Sequence, residues 1–401
     1  MSFQQGLSGL NAAAKNLDAI GNNVANANTV GFKQSQAQFA DVYANSLTGA
    51  GGSQIGIGTK VSQVAQQFTQ GNITATNNPL DMSINGGGFF RMDTNGEVTY
   101  QRNGQFQLDK NGFIVNPTGG TLTGYTANAS GVLSTGAPAP LSINTADLVP
   151  QVTTAANAVL NLDSGGAIPA LAFDMNDPTT FNNSTAVSVY DSLGNSHSVQ
   201  TFYVKTAAGA WDVHASMDGG AAFSAGALAF NTSGALTGGS PITIPPQAVT
   251  TGAAPLGFTI DFTGTTQFGS AFSVNTLNQD GYTSGRLAGF NIGADGIIQG
   301  RYTNGQSATL GQVVLANFAN PNGLQQLGNN QWAESATSGT PLVGSPSSGS
   351  LGVLQSSAVE DSNVDLTAEL VNMITAQRVY QANAQTIKAQ DAVLQTLVNL
   401  R

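Results

Sequence analysis

Residues at the carboxyl-terminal end of the chain follow a helical period. Mostly apolar or small, they recur in steps of four and three, which places them on one helix face: Leu366, Leu370, Met373, Gln377, Tyr380, Ala384, Ile387, Asp391, Leu394 and Val398. Gln377 and Asp391 stand where a strong coiled coil has Leu or Ile, so this stripe is too weak to hold a stable dimer by itself. We therefore expect this helix to pack against a partner elsewhere.

The amino-terminal end repeats the same spacing over a similar length, at Phe3, Leu7, Leu10, Ala14, Leu17, Gly21 and Val24. Ser2 and Gln5 predict a capping box that starts this helix. Gly21 marks either a close approach between helices or the end of the helix. The two stripes predict a coiled-coil-like pair of terminal helices; the alternative is two ordinary amphipathic helices of one globular domain.

Two stretches between the helices alternate as β-strands do. The first, residues 89–116, has short apolar runs separated by Asn95-Gly96, Asn103-Gly104 and Asn111-Gly112. The second, residues 285–320, has Asp295-Gly296 and Asn304-Gly305 at similar places. Asn-Gly and Asp-Gly supply the positive φ angles of tight hairpin turns, so both stretches predict antiparallel β-structure.

The order of these patterns predicts nested domains, because a third β-rich region lies between the two stretches. We predict a terminal helical domain (1–30 and 360–401), an extended connecting region (31–70), an inner β domain (71–147 and 282–359) and an inserted outer β domain (148–281). Within the connecting region, residues 49–58 are rich in glycine and predict a flexible or turn-rich passage. The predicted fold class is α+β and multi-domain, with paired terminal α-helices and two nested, mainly antiparallel β domains.

Composition narrows the classes of function. Charged residues make up 8% of the chain, with 12 Lys and Arg against 22 Asp and Glu, and no basic cluster of the kind that binds nucleic acid. The absence of cysteine excludes disulfides, thiolate metal sites and a Cys nucleophile. No apolar run is long enough to cross a membrane, and the first residues do not have the pattern of a cleaved signal peptide. We expect no membrane insertion, and either a cytosolic protein or export that leaves the amino terminus uncut.

Motifs of catalysis and cofactor binding are missing, so we expect no cofactor, no metal site and no enzymatic activity. Gly86-Gly87-Gly88 lacks the spacing of a dinucleotide fingerprint and predicts a close backbone approach instead. His197 and His214 both stand in strand-like segments, which favours packed imidazoles over a metal site. The segment from Asp93 to Glu97 starts like a calcium loop but continues as β-structure, so we interpret it as a hairpin turn. A pair of carboxylates for glycoside hydrolysis stays open, since their separation depends on the fold.

The most specific signals are two terminal segments and two internal ones. Residues 10–33, LNAAAKNLDAIGNNVANANTVGFK, and 362–400, SNVDLTAELVNMITAQRVYQANAQTIKAQDAVLQTLVNL, resemble the paired terminal signatures of the bacterial flagellar rod and hook axial proteins. LDMSINGGGFFRM, 80–92, and GNNQWAESATSG, 328–339, are similar to internal motifs of the same family. The insertion with VYDSLGNSHSVQTFYVK is similar to that of the hook members, whereas rod members are generally shorter.

The resemblance implies a structural subunit that forms a curved, hollow helical homopolymer and serves as a universal joint between rod and filament. It implies terminal helices that line the channel, with residues 148–281 on the outer surface. It further implies export through the flagellar type III apparatus, an extracellular location in the flagellum, and contacts with rod, hook cap and hook-filament junction proteins. We assign the assembly seam to one set of residues: Phe3, Leu7, Leu10, Leu17, Gly21, Val24, Leu366, Leu370, Met373, Tyr380, Ile387, Leu394 and Val398.

Two alternatives stay open at this point. A distal rod or hook-filament junction subunit would form straight, rigid tubes. An exported surface enzyme or sugar-binding module would be an active soluble monomer with a defined cleft. Electron microscopy of the purified protein distinguishes these possibilities.

Overall fold

The computed structural model describes residues 2–42, 56–128 and 130–399, without the side chains of Ser2 and of residues 397–399. The chain divides into two compact units. The terminal unit comprises Met1–Asn144, Gly289–Gly300 and Ser307–Arg401, and the inserted unit comprises Thr145–Ala288 and Arg301–Gln306. Most of the predicted glycine-rich passage, 49–58, lies outside the described residues.

Both terminal helices are present, and each begins and ends close to a recognisable signal. The first, α1, spans Ser2–Ala25, and the second, α2, spans Leu366–Asn399. The Asp365 carboxylate caps α2 by accepting the amide hydrogens of Thr367 at 2.9 Å and Ala368 at 3.1 Å. The capping box predicted for α1 depends on the Ser2 side chain, which lies outside the described residues, while the Gln5 amide donates to the carbonyl oxygen of Gly56.

The first part of the chain adds ten strands within its described residues: β1 (Ser35–Val42), β2 (Gly58–Gln66), β3 (Ile73–Ala75), β4 (Met82–Asn85), β5 (Phe89–Thr94), β6 (Glu97–Gln101), β7 (Gln107–Leu108), β8 (Ile114–Val115), β9 (Thr121–Thr126) and β10 (Ala139–Pro140). Strands β1 and β2 form an antiparallel pair, in the range predicted as an extended connection. After the inserted unit the chain continues through β21 (Leu287–Ile292), β22 (Ile297–Tyr302), β23 (Ser307–Val313), β24 (Leu315–Asn317), a 3₁₀ turn (Pro321–Gly323), β25 (Gln325–Gly328), β26 (Gln331–Ala333), β27 (Leu342–Gly344), β28 (Val353–Ser356) and β29 (Ala358–Glu360).

Strands from the two halves of the chain interleave in one large sheet. Among the described residues it has thirteen strands, with the main order β21-β22-β23-β9-β5-β6-β26-β25. Two smaller antiparallel pairs, β28 with β4 and β29 with β3, bring the segment before α2 back to the segment after β2. Residues distant in sequence therefore pair in several sheets of the terminal unit, and the last of these strands, β29, shortly precedes α2.

The inserted unit is a two-layer sandwich, in a range that the structure describes throughout. Its strands are β11 (Ala155–Asp163), β12 (Asn183–Tyr190), β13 (Ser196–Ala207), β14 (Ala210–Met217), β15 (Phe223–Phe230), β16 (Leu236–Gly238), β17 (Ile242–Gln247), β18 (Leu256–Asp261), β19 (Thr266–Phe268) and β20 (Ser273–Gln279). They form two five-stranded sheets, β12 to β16 in sequence order and β17-β18-β11-β19 with β20 beside β11. Trp211, Tyr203, Leu160 and Ile260 are buried in the common core between them.

The turn chemistry predicted from Asn-Gly is mostly present. Asn95 and Gly96 join β5 to β6 with φ angles of 56° and 89°, as a two-residue type I′ turn requires. The Asp93 carboxylate accepts the Gly96 amide hydrogen, so this segment is a hairpin turn as predicted. In the other hairpins the glycine has a positive φ and closes a longer turn: Gly112, Gly296 and Gly305.

The turn predicted at Asn103-Gly104 is wrong. This dipeptide closes no hairpin, because the Gly104 carbonyl oxygen accepts the amide hydrogen of Met82 instead. A Cβ atom on Gly104 would overlap the Met82 carbonyl group, so glycine is needed here for a close backbone approach. The Gly86–Gly88 run has the role predicted for it, since a Cβ on Gly86 would lie 3.1 Å from Gly352 Cα.

The fold class predicted from the sequence is confirmed: terminal α-helices combined with largely antiparallel β-structure in more than one unit.

Candidate functional site

The two terminal helices pack against each other in antiparallel fashion. A Cβ atom on Gly6 would lie 3.1 Å from Ile387 Cγ1, and one on Gly9 would lie 2.7 Å from Asn383 Oδ1. At the other end of α1, the Asn23 amide donates to Glu369 Oε2 at 3.4 Å. Small residues on α1 thus bring the two helix axes close together.

The face of α1 that is covered within the chain is not the predicted one. Gly6, Ala12, Ala13, Ile20 and Asn23 are buried, whereas the predicted stripe lies one residue further along at nearly every step. Phe3 and Leu7 keep 46% and 44% of their surface exposed. The remaining members of the predicted stripe are half-buried, namely Leu10, Ala14, Leu17, Gly21 and Val24.

Gly21 has neither of the two roles considered for it in the single chain. A Cβ atom placed on it would meet nothing within 4 Å, so it is not at a close approach between helices. The helix continues past it to Ala25, so it is not the helix end. Gly6 and Gly9 make the close approach instead.

On α2 the predicted stripe is covered only in part. Met373, Ala384 and Ile387 are half-buried. The two fully buried side chains on the described part of this helix, Glu369 and Ala376, are not members of the predicted stripe. The Val398 side chain lies outside the described residues. The other apolar members of the predicted α2 stripe remain exposed, namely Leu366, Leu370, Tyr380 and Leu394. Val371, Ile374, Val379 and Val393, elsewhere on the helix, are exposed as well.

Polar side chains connect the carboxyl-terminal end of α1 and the amino-terminal end of α2 to the first β-hairpin. The Asn23 side chain accepts the Ser35 amide hydrogen and donates to the Ser35 carbonyl oxygen, both at 2.8 Å. The Gln34 amide donates to Glu369 Oε1 at 2.6 Å. These bonds and the Asn23 contact supply the buried Glu369 carboxylate with uncharged donors.

A second set of buried polar contacts in this unit is an ion cluster. Glu360 Oε1 is 2.6 Å from Lys33 Nζ, and its Oε2 is 3.1 Å from the Arg102 guanidinium. Burial lowers the pKa of Lys33 and of Arg102, and the charge of Glu360 opposes both shifts. Lys33 follows α1, Arg102 follows β6 and Glu360 precedes α2. The cluster therefore connects the carboxyl-terminal end of α1 and the amino-terminal end of α2 to the large sheet.

Neither the polar contact nor the ion cluster was predicted. One signal was available in a chain with so few charges: Lys33 ends the first terminal signature, and Glu360 stands two residues before the second. Their pairing across 327 positions depends on the tertiary structure.

The two internal motifs meet in an aromatic cluster. The rings of Phe89 and Trp332 have centroids 5.6 Å apart, and Phe68 lies against both. Trp332 Nε1 donates to Gln66 Oε1 at 2.7 Å. The motifs around 80–92 and 328–339 therefore connect the first hairpin to the large sheet.

The remaining chemical candidates have packing partners. His214 stacks on Phe173 with ring centroids 4.1 Å apart, and burial lowers the pKa of His214. His197 lies between Asp191 and Asp218. Within the residues that the structure describes, no three His, Asp or Glu side chains are grouped as metal ligands. No helix in the described parts of the chain has the length and hydropathy needed to cross a membrane.

Comparison with protein families matches four segments of the chain to flagellar families. Residues 3–33 match the flagella basal body rod protein family, and 83–161 match the flagellar hook protein FlgE/F/G D1 domain. Residues 161–282 match the flagellar basal body protein FlaE D2 domain, and 355–400 match the carboxyl-terminal family of the flagellar basal body rod FlgEFG proteins. The resemblance stated from the sequence motifs is confirmed.

Individual relatives agree along the whole length. The chain is 45% identical to the flagellar hook protein FlgE of Salmonella typhimurium and 43% identical to that of Escherichia coli K12, with full coverage of both chains in each pair. The crystal structure of Helicobacter pylori flagellar hook protein FlgE2 matches with a TM-score of 0.56 and 14% identity, over 72% of this chain and 100% of that chain, which shows a common fold. On this full-length similarity, the chain belongs to the family of flagellar hook proteins.

Proposed function

We propose that this chain is the structural subunit of the bacterial flagellar hook. It polymerises into a curved, hollow helical tube that acts as a universal joint and transmits torque from rod to filament. Relatives that match over the whole chain are flagellar hook proteins, and the family they represent is structural rather than enzymatic.

One observation carries the proposal: the terminal helices pair through small residues and leave large apolar side chains in solvent. Phe3 and Leu7 on α1 and Leu370 and Ile374 on α2 are each about half exposed. Exposed apolar patches on soluble proteins mark interaction surfaces. Neighbouring subunits supply the missing cover, so the assembly seam includes the faces that one chain leaves open.

The buried ion cluster supports the mechanical part of the proposal. A joint that transmits torque needs a firm connection between the helices that hold the polymer together and the β-structure beside them. The Glu360 carboxylate bridges Lys33 and Arg102 with side chains that are almost fully excluded from water. Separating the partners of such a cluster would leave buried charges uncompensated, so the cluster resists separation of the helices from the large sheet.

The location and the further partners are part of the same proposal. We place the subunit outside the cell in the flagellum, between rod and filament, in contact with rod, hook cap and hook-filament junction proteins after export by the flagellar apparatus. Support for these contacts comes from the flagellar rod and hook families matched at both ends of the chain.

Electron microscopy of the purified chain under polymerising conditions tests the proposal, with curved hollow tubes as the expected result. A second sample replaces residues 148–281 by a short Gly/Ser linker. The flanks of that segment run side by side, since Leu148 donates its amide hydrogen to the Gly285 carbonyl oxygen at 2.7 Å, so a short linker closes the gap. We expect tubes that are straighter or mechanically altered.

Straight, rigid tubes from the complete chain would instead indicate a distal rod or junction subunit. Failure of the shortened chain to form any tube, with its β-structure still folded, would show that the insertion is an obligatory assembly contact. A chain that never polymerises and acts as a soluble monomer on a substrate would overturn the proposal.

A further inference from the structure

A histidine is buried among three loops at one end of the inserted unit. His197 stands at the start of β13 and is 5% exposed. Around it lie the turn 191–195 between β12 and β13, the turn that follows β14, and the loop 248–255 between β17 and β18. None of this belongs to the assembly surface described above.

Both ring nitrogens of His197 face carboxylate oxygens. Nδ1 is 2.6 Å from Asp218 Oδ2, and Nε2 is 3.2 Å from Asp191 Oδ2. A neutral imidazole has one N–H and one lone pair, so it can satisfy only one of these carboxylates. The imidazolium ion donates to both, and the geometry therefore favours the charged ring.

The two carboxylates extend the contact to neighbouring loops. Asp191 Oδ2 accepts the Thr251 hydroxyl at 2.6 Å, and Asp191 Oδ1 accepts the amide hydrogens of Leu193 and Asn195. Asp218 Oδ1 accepts the amide hydrogen of Ser198 at 2.8 Å. The ring thus joins the 191–195 turn, the Asp218 turn and, through Asp191, the loop that carries Thr251.

No other charge competes at this site among the described residues. Val189 lies opposite His197 in β12, and Met217 precedes Asp218 in β14. The loop 248–255 and the segment 148–151, whose Pro150 packs near Gly194, contain no titratable side chain. Asp191 and Asp218 are the charged groups that act on the ring.

We propose that His197 is a proton-dependent clasp, which in its charged form holds these three loops of the inserted unit together and on deprotonation releases the Asp218 turn. This inference does not depend on the proposed hook function. It concerns the internal stability of the inserted unit.

On deprotonation the hydrogen bond to Asp218 is lost rather than the one to Asp191, because the two carboxylates differ in burial. The Asp191 side chain is fully buried, whereas that of Asp218 is 51% exposed and exchanges its contact for water at little cost. Asp218 also has a φ of 51°, in the left-handed region, so its backbone gains freedom when the contact is lost. The single N–H of the neutral ring therefore stays with Asp191.

The direction of the pH dependence follows from the same contacts. Burial alone would lower the pKa of His197, but its hydrogen bonds to Asp218 and Asp191 and their charges outweigh burial and raise it. Stability from a raised histidine pKa is complete below the value of the unfolded chain, about 6.5, and is lost as pH rises through the folded value. Hydrogen bonds lower the pKa of Asp191 and of Asp218 although burial opposes this, so their contribution disappears only as pH falls into the acid range.

Proton NMR of the two histidines tests the clasp in the complete, unpolymerised chain. The chain contains only His197 and His214, so His214→Gln assigns both ring signals. We expect His197 to titrate at higher pH than a free histidine and His214 at lower pH. Asp218→Asn should move the His197 titration down. A His197 signal that titrates at or below the ordinary value overturns the proposal, whether or not any His197 variant folds.

Thermal unfolding in a Trp332→Phe background gives the second measurement, because Trp211 then reports on the inserted unit alone. The unfolding midpoint should fall as pH rises from about 6 to about 9. His197→Gln should remove most of that slope, while His214→Gln should keep it. An equal slope in the His197→Gln protein would show that another group is responsible.

Discussion

The inserted unit buries its large apolar side chains, whereas the terminal helices leave several of theirs exposed. In the inserted unit, Trp211, Tyr203 and Phe262 are completely buried between two sheets of the same chain. On the terminal helices, Leu7, Leu370 and Ile374 remain about half exposed, and the contact between the helices is made by Gly6, Gly9 and neighbouring small residues. One region is complete within a single chain, and the other leaves apolar side chains exposed, which we propose that neighbouring subunits cover.

The comparison shows how a subunit separates folding from assembly. Small residues bring α1 and α2 close together, and the larger apolar side chains stay exposed, where we propose that other copies bind. The buried cluster of Lys33, Arg102 and Glu360 then connects this open surface to the large sheet. Each part of this arrangement can be tested separately.

The largest effect is expected for charges placed on the open face of α2. Leu370→Asp combined with Ile374→Asp should abolish tube formation, because each buried carboxylate in the polymer would lack a partner. The unfolding midpoint of the monomer should hardly change, since both side chains are already exposed. Sedimentation and electron microscopy measure assembly, and circular dichroism measures folding.

Two controls decide whether the open face is specific. Leu370→Met with Ile374→Val keeps the surface apolar and should still polymerise. Leu171→Asp, at a comparably exposed apolar side chain of the inserted unit, should have a smaller effect on assembly. Normal tubes from the Leu370→Asp, Ile374→Asp protein would contradict the assignment of this face to assembly.

The second prediction concerns order in the helices before and after assembly. Hydrogen exchange should find residues 2–28 and 364–401 nearly unprotected in the monomer, because few of their apolar side chains are buried there. In tubes, their opening free energy should rise from near zero to several kcal/mol. The inserted unit should be protected in both states. Strong protection of both chain ends in a verified monomer would refute this account.

The third prediction addresses the junction. Glu360→Gln leaves Lys33 and Arg102 as buried cations without a counterion, and should lower the free energy of unfolding of the terminal unit by about 3–5 kcal/mol. Denaturant unfolding followed by Trp332 in a Trp211→Phe background measures it. Lys15→Met, which removes the exposed pair with Asp18, is the matched control and should change little. Similar losses in both proteins would mean that burial of the pair does not matter.

The smallest effects are expected at glycines of α1. In the assembled tube, Gly9→Leu should push the helices apart and destabilise each subunit by about 1–3 kcal/mol, since even a Cβ at this position approaches Asn383 to 2.7 Å. Gly21→Ala should stabilise the helix by about 0.5–1 kcal/mol, because that position is open in the single chain. Thermal melting of the tubes, followed at 222 nm, compares the two. If Gly21→Leu then blocks tube formation without affecting the monomer, a neighbouring subunit covers this face.

Much of the architecture could be predicted from local patterns. The helical period at both ends predicted α1 and α2, and Asn95-Gly96 predicted the turn between β5 and β6, because these signals depend on residues close in sequence. The Asn103-Gly104 prediction failed for the same reason. The dipeptide alone does not reveal that the Met82 backbone, from another strand, packs against Gly104.

The limit of prediction from local sequence patterns is clearer for the choice of helix face. Reading the stripe from Phe3, Leu7, Leu10 and Leu17 assumed that the largest apolar residues face the nearest partner. In the chain the covered face is displaced toward Gly6, Ala13 and Ile20, since a close antiparallel contact favours small residues. Hydrophobic periodicity identifies the apolar side of a helix but does not say which partner covers which part of it.

The sequence by itself determined which segments are helical, where the main hairpins turn, and the family to which the terminal and internal motifs point. These properties depend on periodicity, turn chemistry and contiguous residues. Only the tertiary structure decided that Glu360 pairs with Lys33 and Arg102, that His197 is enclosed by Asp191 and Asp218, and which helix face stays open. Such contacts join residues far apart along the chain, and their energies depend on burial and on distances that appear only when the chain has folded.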